Sequence, residues 1–348
     1  MSDFIPKRLG FFTRLLDDTG PGERYQNAAT QIVHAEQHGF DSAWVAQHHF
    51  HRDEGGLPAP LVFLAYVAAR TMRIRLGTGI ITLPLENPIR AAEDAAVLDL
   101  LSGGRLELGL GSGGTPSSFT AFGHDVKDKA AIYEQYLQTF RTALSGSPLA
   151  GDAKLYPAAP QLLERFWQAT FSAAGGIRAG KAGDGLMLSR TQPRPADNLA
   201  ATLPDLQHPI IDGYLENLPR EIAPRIVASR TLFVADSRDE ARHYAEIGLR
   251  KAAIGLPRSG HKFESDDLDY LIAATDTHVG TVADVLESLH RDTTLNRVTD
   301  IVFQVHSVDP PHELVLRSIE LIATHVAPQL GWVRSEGDKP APRLSVVR

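Results

Sequence analysis

Apolar runs of strand length alternate with stretches in which apolar positions recur at helical spacing, and this pattern predicts repeated β-α units on a parallel sheet. RLGFFT (8–13) predicts the first strand, and the run from Glu23 to His38 its helix, stopped by Gly39. SAWVA (42–46) predicts the second strand, with a helix from Ala59 to Arg70 after a polar loop, and IRLGTGIITLP (74–84) the third. Asn87-Pro88 opens the next helix, which the Ser102-Gly103-Gly104 stop ends, and RLELGLG (105–111) follows as the fourth strand. A helix from Lys127 to Leu144 and a Pro/Ala/Gly-rich loop (146–160) precede four further strands: FWQATF (166–171), GLMLS (185–189), RIVASRTLFVA (225–235) and DIVFQVH (300–306).

Eight such units in unbroken alternation point to an α/β fold closed as a TIM (β/α)8 barrel, whose site lies at the C-terminal strand ends. An open doubly wound sheet is the rival reading. The intervals 190–224 and 253–279 exceed ordinary loops and are expected to carry short helices near the mouth. The division expected is one barrel domain over 1–330 and a tail over 331–348.

Composition narrows the function. Of 348 residues, 43% are hydrophobic and 22% charged, ordinary for a soluble enzyme. The net charge of −7, without any basic run, argues against a nucleic-acid or anionic-membrane partner and for a small molecule. With no cysteine, thiolate metal sites, disulfides and cysteine nucleophiles are excluded. The N-terminus lacks signal-peptide features, and apolar windows such as LVFLAYVAA are about half a membrane span, so a soluble, cytoplasmic protein is expected.

The densest chemistry lies in WVAQHHFHRDEGG (44–56), just after the second strand. Side chains alternate between faces there, so His48 and His49 cannot both enter the barrel mouth. His49-Phe50-His51 matches the spaced pair of metal-dependent barrel hydrolases, with His306 and Asp309 available after the eighth strand. The fifth and sixth strands, however, end in Phe171-Ser172 and Ser189-Arg190, which are poor ligands, so no metal is expected. Histidines hydrogen-bonded within a structural loop remain the plain alternative.

FDSAWVAQHHF, the block RIRLGTGIITLPLENPIRAAEDAAVLDLLSGGRLELGLGSG, FSAAGGIRAGKAGDGLMLS and HVGTVADVLESL together resemble the bacterial luciferase-like family of flavin-dependent monooxygenases. The resemblance spans residues 8–325. It implies a barrel that uses reduced FMN and molecular oxygen to oxidise a small organic substrate, with reduced flavin supplied by a separate reductase, and commonly a homodimer. It implies that His48 is the catalytic histidine, a role suited to an imidazole titrating near neutrality. His49 is expected on the structural side, and His51 has no counterpart.

Two departures from the family stand out. Gln47 occupies the place of an acid, and Ser112 the place of an arginine that holds flavin phosphate in the light-emitting members. Phosphate binding is therefore expected elsewhere. Ser172, Gly175 and Gly176 match the family's phosphate loop, where a helix N-terminus presents free N–H groups and glycines admit an anion; an ordinary glycine-rich turn is the alternative. Arg178 would add charge there or be solvated.

Gly79-Ile80 falls where the family often has a non-proline cis peptide under the flavin ring, a plain strand being the alternative. Gly111, Ser112 and the other glycines of LGLGSGG (108–114) lack the dinucleotide spacing and are read as keeping the mouth open for the flavin. Asn87 is expected to cap its helix or, with Arg90, to orient loops. Phe11, Phe12, Phe50, Phe171 and Trp167 are candidate pocket aromatics, or core. A deazaflavin-dependent hydride-transfer enzyme of the same fold, and a flavin-binding protein without catalysis, are the competing functions.

Overall fold

The computed structural model describes residues 7–256 and 261–333. The chain runs β1 (Arg8–Thr13), α1 (Pro21–Gln37), β2 (Ser42–Val45), α2 (Pro60–Ala68), β3 (Arg75–Thr78), β4 (Ile81–Thr82), α3 (Pro88–Ser102) and β5 (Leu106–Gly111). It continues through α4 (Pro116–Ala121), α5 (Lys129–Leu144), β6 (Phe166–Ala169), α6 (Ala173–Ala182), β7 (Gly185–Leu188), α7 (Leu203–Asn217) and β8 (Ile226–Val234). Last come α8 (Arg238–Gly255), α9 (Leu268–Ala274), β9 (Thr277–Gly280), α10 (Val282–His290), β10 (Asp300–Gln304) and α11 (His312–Leu321).

Every strand pairing is parallel, and β10 pairs both with β1, where Leu9 meets Ile301, and with β8, where Val302 meets Ser229. That double pairing closes the sheet into a (β/α)8 barrel rather than leaving the open sheet that was the rival. Two features depart from the predicted strands. The third stave is broken into β3 and β4 at Gly79-Ile80, and β9 adds to the far end of the long β8, outside the barrel. α7 fills much of the 190–224 interval, and α9 with β9 much of 253–279.

Local signals explain the helix ends. The Asn87 side chain accepts from the N–H groups of Ile89 and Arg90 at 3.0 and 3.1 Å, Pro88 takes the first helical position, and Gly103 closes α3 at φ +69°. Asn87 is thus a cap. Thr202 and Asp205 form a capping box that starts α7.

The strands are buried on both faces, as a parallel sheet covered by helices requires. Leu9, Phe11, Ala43, Val45, Leu76, Leu108 and Phe166 join the core beneath the helices. Phe12, Trp44, Ala46, Trp167, Met187, Val227 and Val302 form a second cluster inside the barrel. Trp44 and Trp167 meet edge to face, centroids 5.7 Å apart. They fit because Gly77 and Gly185 stand opposite: a Cβ on either would fall 2.2 Å from an indole carbon. Below them, Trp167 Nε1 donates to Glu107 at 2.6 Å, and Arg75 pairs with the same carboxylate. The N-terminal end is therefore filled, and the C-terminal mouth is left for chemistry.

Trp332 is buried against this base, bridging to Lys7 and donating to Asp41 at 2.9 Å. Trp332 of the expected tail thus packs on the barrel; residues 334–348 lie outside the described part.

Candidate active site

The mouth is built from the residues that follow each strand. After β2, His48 turns inward: its ring lies against Gly55, where a Cβ would sit 2.5 Å from the imidazole. Burial, followed by Arg14, His49 and His306, holds its pKa well below the ordinary histidine value. Burial thus favours the uncharged ring. A neutral ring offers one N–H donor and one lone pair.

The neighbouring histidines serve other purposes. His49 packs edge-on against Phe122 at 4.9 Å, and Phe50, at φ +65°, leans on the same ring. His51 Nε2 lies 2.7 Å from the Ser117 hydroxyl and ties the loop to α4. The strand alternation thus separates one inward histidine from two that organise the rim.

Opposite His48 stands a charged group from three other strand ends. His306 and Asp309, after β10, pair through Nδ1 and a carboxylate oxygen, and His306 Nε2 lies 3.4 Å from the Thr13 hydroxyl at the end of β1. Burial opposes the Asp309 charge, but His306, Arg14 and Arg190 together hold its carboxyl below the usual range. Arg190, after β7, is buried, reaches Ser307 at 3.4 Å, and loses proton affinity through burial and the nearby Arg14. Arg14 donates to the Glu54 carbonyl. His306 and Asp309 entered the sequence reading only as spare metal ligands, and Arg190 only as a strand end. Arg14 was missed, although its place directly after β1 was the available signal.

The floor of the mouth is apolar. Gly79-Ile80 is a cis peptide, as the family resemblance implies; His306-Ser307 and Tyr156-Pro157 are also cis. A Cβ on Gly79 would fall 2.6 Å from Phe12, and one on Gly111 would fall 2.9 Å from Ile80 and 3.7 Å from Ala169. Gly79, Ile80 and Gly111 thus come together with Phe12 and Ala169, leaving a shallow surface where side chains would otherwise project.

Ser172, Gly175 and Gly176 are not part of that floor. The Ser172 side chain caps α6 by accepting from Gly175 N at 3.2 Å, and Thr170 Oγ1 accepts from Ser172 N at 3.1 Å. Gly175 and Gly176 therefore have structural reasons: a Cβ would meet Thr170 at 1.9 Å and the Ile210 carbonyl of α7 at 2.3 Å, respectively. Gly175 and Gly176 also send their N–H groups to the Ser172 carbonyl, so Ala173 and Ala174 carry the first-turn donors an anion would meet. Arg178 is exposed and donates to Gln168 at 2.8 Å over the Tyr133 ring, so its guanidinium is engaged away from that turn. Ser112 stands half-buried directly after β5, and the Lys129 ammonium reaches the adjacent Gly113 carbonyl at 3.2 Å. That cation, which the sequence alone did not single out, stands beside the Ser112 loop.

The aromatic candidates divide by depth. Phe11 belongs to the outer core, Phe12 and Trp167 to the barrel interior, and Phe50 and Phe171 to the exposed rim.

These residues fit a planar, polar-edged anionic cofactor. Arg14 Nε, Arg190 Nε, Gln192 Oε1 and His49 Nε2 are buried without a protein partner, so donors and an acceptor flank an apolar floor. The fold and mouth are those of a parallel (β/α)8 barrel with its candidate site at the C-terminal strand ends.

The chain belongs to the luciferase-like monooxygenase family, whose model matches residues 9–300. It is 29% identical over 332 residues to 4-hydroxyprotoasukamycin monooxygenase of Streptomyces nodosus subsp. asukaensis, covering 86% of this chain and 88% of the relative. Monooxygenase RslO1 of Streptomyces bottropensis superposes with a TM-score of 0.78 at 25% identity, over 92% of this chain and 99% of that one. Two more distant structures share the fold at 18% identity over 93% of this chain. One is the oxygenating constituent of 3,6-diketocamphane monooxygenase of Pseudomonas putida in complex with FMN, with a TM-score of 0.72 over 98% of its length. The other is an F420-dependent secondary alcohol dehydrogenase with an F420-acetone adduct, with a TM-score of 0.68 over 99% of its length. No helix among the described residues is long and apolar enough to cross a membrane.

Proposed function

We propose that this protein is an FMN-dependent monooxygenase that takes reduced FMN and molecular oxygen and transfers one oxygen atom to a small organic substrate. The observation that carries the reading is an apolar floor of Phe12, Gly79, Ile80, Gly111 and Ala169 in the same barrel mouth that holds His48 against Gly55. Reduced FMN supplies the electrons and activates oxygen when bound. The floor supports the ring face, and Arg14, Arg190 and Gln192 offer polar contacts at its edge. The phosphate is assigned to the first turn of α6, with Ser172 at its cap and Gly175 and Gly176 shaping the turn, and to the Ser112 loop with Lys129.

His48 is assigned the proton step. As a neutral imidazole it accepts a proton from the reacting centre on one nitrogen or donates on the other, without the cost of a buried charge in the resting site. Asp309 and His306 hold the Thr13 hydroxyl in place and offset the Arg14 and Arg190 charges. Phe50 and Phe122 pack against His49 and one another at the rim.

A separate flavin reductase is the proposed electron source. A homodimer is proposed through α2 and α3, where Val62, Val97, Leu100 and Leu101 are exposed; sedimentation of the pure protein tests it. A deazaflavin-dependent hydride transfer is the second reading, favoured by the shared fold of the alcohol dehydrogenase. Anaerobic titration with each reduced cofactor separates the two. The proposal expects saturable binding of reduced FMN; tight binding of the deazaflavin alone would replace it.

A further inference from the structure

Away from the mouth, α1 and α11 carry a group of side chains that the proposed function does not use. His34 lies in the last turn of α1, and His38, four residues on, caps its C-terminal end. Glu320, near the end of α11, lies across from them, with Oε1 3.5 Å from His34 Nε2. One ligand atom from each of the three lies within 4.8 Å of the others.

Each side chain is held by a neighbouring group or left with a free nitrogen. His38 Nδ1 lies 2.9 Å from the His34 carbonyl, which makes it the N–H donor and leaves Nε2 with its lone pair free. His34 Nε2 is buried and has no hydrogen-bond partner. Arg317 Nη1 donates to Glu320 Oε2 at 2.9 Å, fixing the carboxylate with Oε1 turned toward the histidines. The His34 and His38 rings lie 4.3 Å apart, tilted by 53°, so their nitrogens converge without stacking.

We propose that His34, His38 and Glu320 bind a divalent transition-metal ion of the zinc class and clamp α1 to α11. Two histidines and a carboxylate are a standard zinc ligand set, completed by water at the fourth position. Ligand atoms about 2.0–2.2 Å from one tetrahedral ion stand roughly 3.2–3.6 Å apart, close to the observed His34–Glu320 separation. The widest pair closes by rotation of half-buried side chains. Because α1 belongs to the first β-α unit and α11 to the last, the ion would join the two ends of the barrel. Its role is structural, since these helices flank the barrel and the proposed site is at its mouth.

The test uses untagged protein stripped with chelator. Cobalt(II) should bind with the visible d–d absorption of a low-symmetry N/O site, and zinc should displace it. Calorimetry should give one zinc per chain and a raised Tm. His38→Ala and Glu320→Gln should each weaken zinc at least about tenfold and lose the Tm rise, while His290→Ala, at an exposed histidine of α10, should leave both unchanged. Absence of stoichiometric zinc binding, or equal binding by His38→Ala, Glu320→Gln and the parent, would overturn the proposal and leave only an ion pair.

Discussion

Gln47 Nε2 donates to Glu86 Oε1 at 2.6 Å while Gln47 Oε1 accepts from Thr82 N at 2.7 Å, so one amide ties the end of β2 to the chain leaving β4. The family places an acid at residue 47. Here the carboxylate stands one contact further out, on Glu86, whose pKa burial raises. The acid is thus held by the Gln47 amide and stands away from the strand end.

Gln47→Glu would press two carboxylates together, and one of them would hold its proton to higher pH than in the unfolded chain. More protons would then be bound in the folded state, so stability should fall as pH rises through that range. Thermal melts at pH 5 and pH 7 should show the variant destabilised mainly at pH 7. Equal loss at both would place the effect in packing instead.

His48→Ala should leave reduced-FMN affinity within a few-fold and lower turnover by roughly two to four orders of magnitude. Because the folded pKa of His48 is depressed, the unfolded chain binds the extra proton below about pH 6.5, and native stability should drop as pH falls through that region. Urea titrations across pH 5–7 should show a smaller drop in His48→Ala. Unchanged turnover in the variant would remove His48 from the chemistry.

Asp309→Asn would leave Arg14 and Arg190 without their carboxylate and His306 without its partner. Loss of one member of such a buried group costs about 3–5 kcal/mol. Chemical denaturation should show a loss of that order, whereas a change below about 1 kcal/mol would mean that the cations relax into solvent.

Two glycine substitutions should separate site from scaffold. Gly111→Ala meets the flexible Ile80 side chain, at 2.9 Å from its Cδ1, and no backbone, so Tm should fall little while the Kd for FMN rises. Gly176→Ala drives a methyl into the Ile210 carbonyl of α7 and should cost about 1–3 kcal/mol. The reverse ranking in melts and flavin titrations would contradict the assignment of the floor.

The barrel was legible because its strands are apolar runs with glycine, proline and asparagine punctuation, and the Asn87 and Gly103 caps fell where those residues predict. β9 was not, since THVG is short and has little apolar character. α7 was obscured by Pro209 inside it, although Thr202 and Asp205 mark its start. Within the site, strand alternation separated His48 from His49. The charged group opposite could not be read in the same way, because Arg14, Arg190 and Asp309 are far apart in sequence and meet only through barrel closure. Gly175 and Gly176 also answer to packing, against Thr170 and α7, a reason visible only once α6 and α7 pack.

Anaerobic mixing of the protein with reduced FMN, followed by rapid mixing with oxygenated buffer in a stopped-flow spectrometer, tests the central claim without requiring the substrate. The account predicts saturable binding and flavin re-oxidation whose kinetics depart from those of free reduced FMN, with an amplitude that scales with protein and changes in His48→Ala. Re-oxidation indistinguishable from free flavin at saturating protein would contradict it.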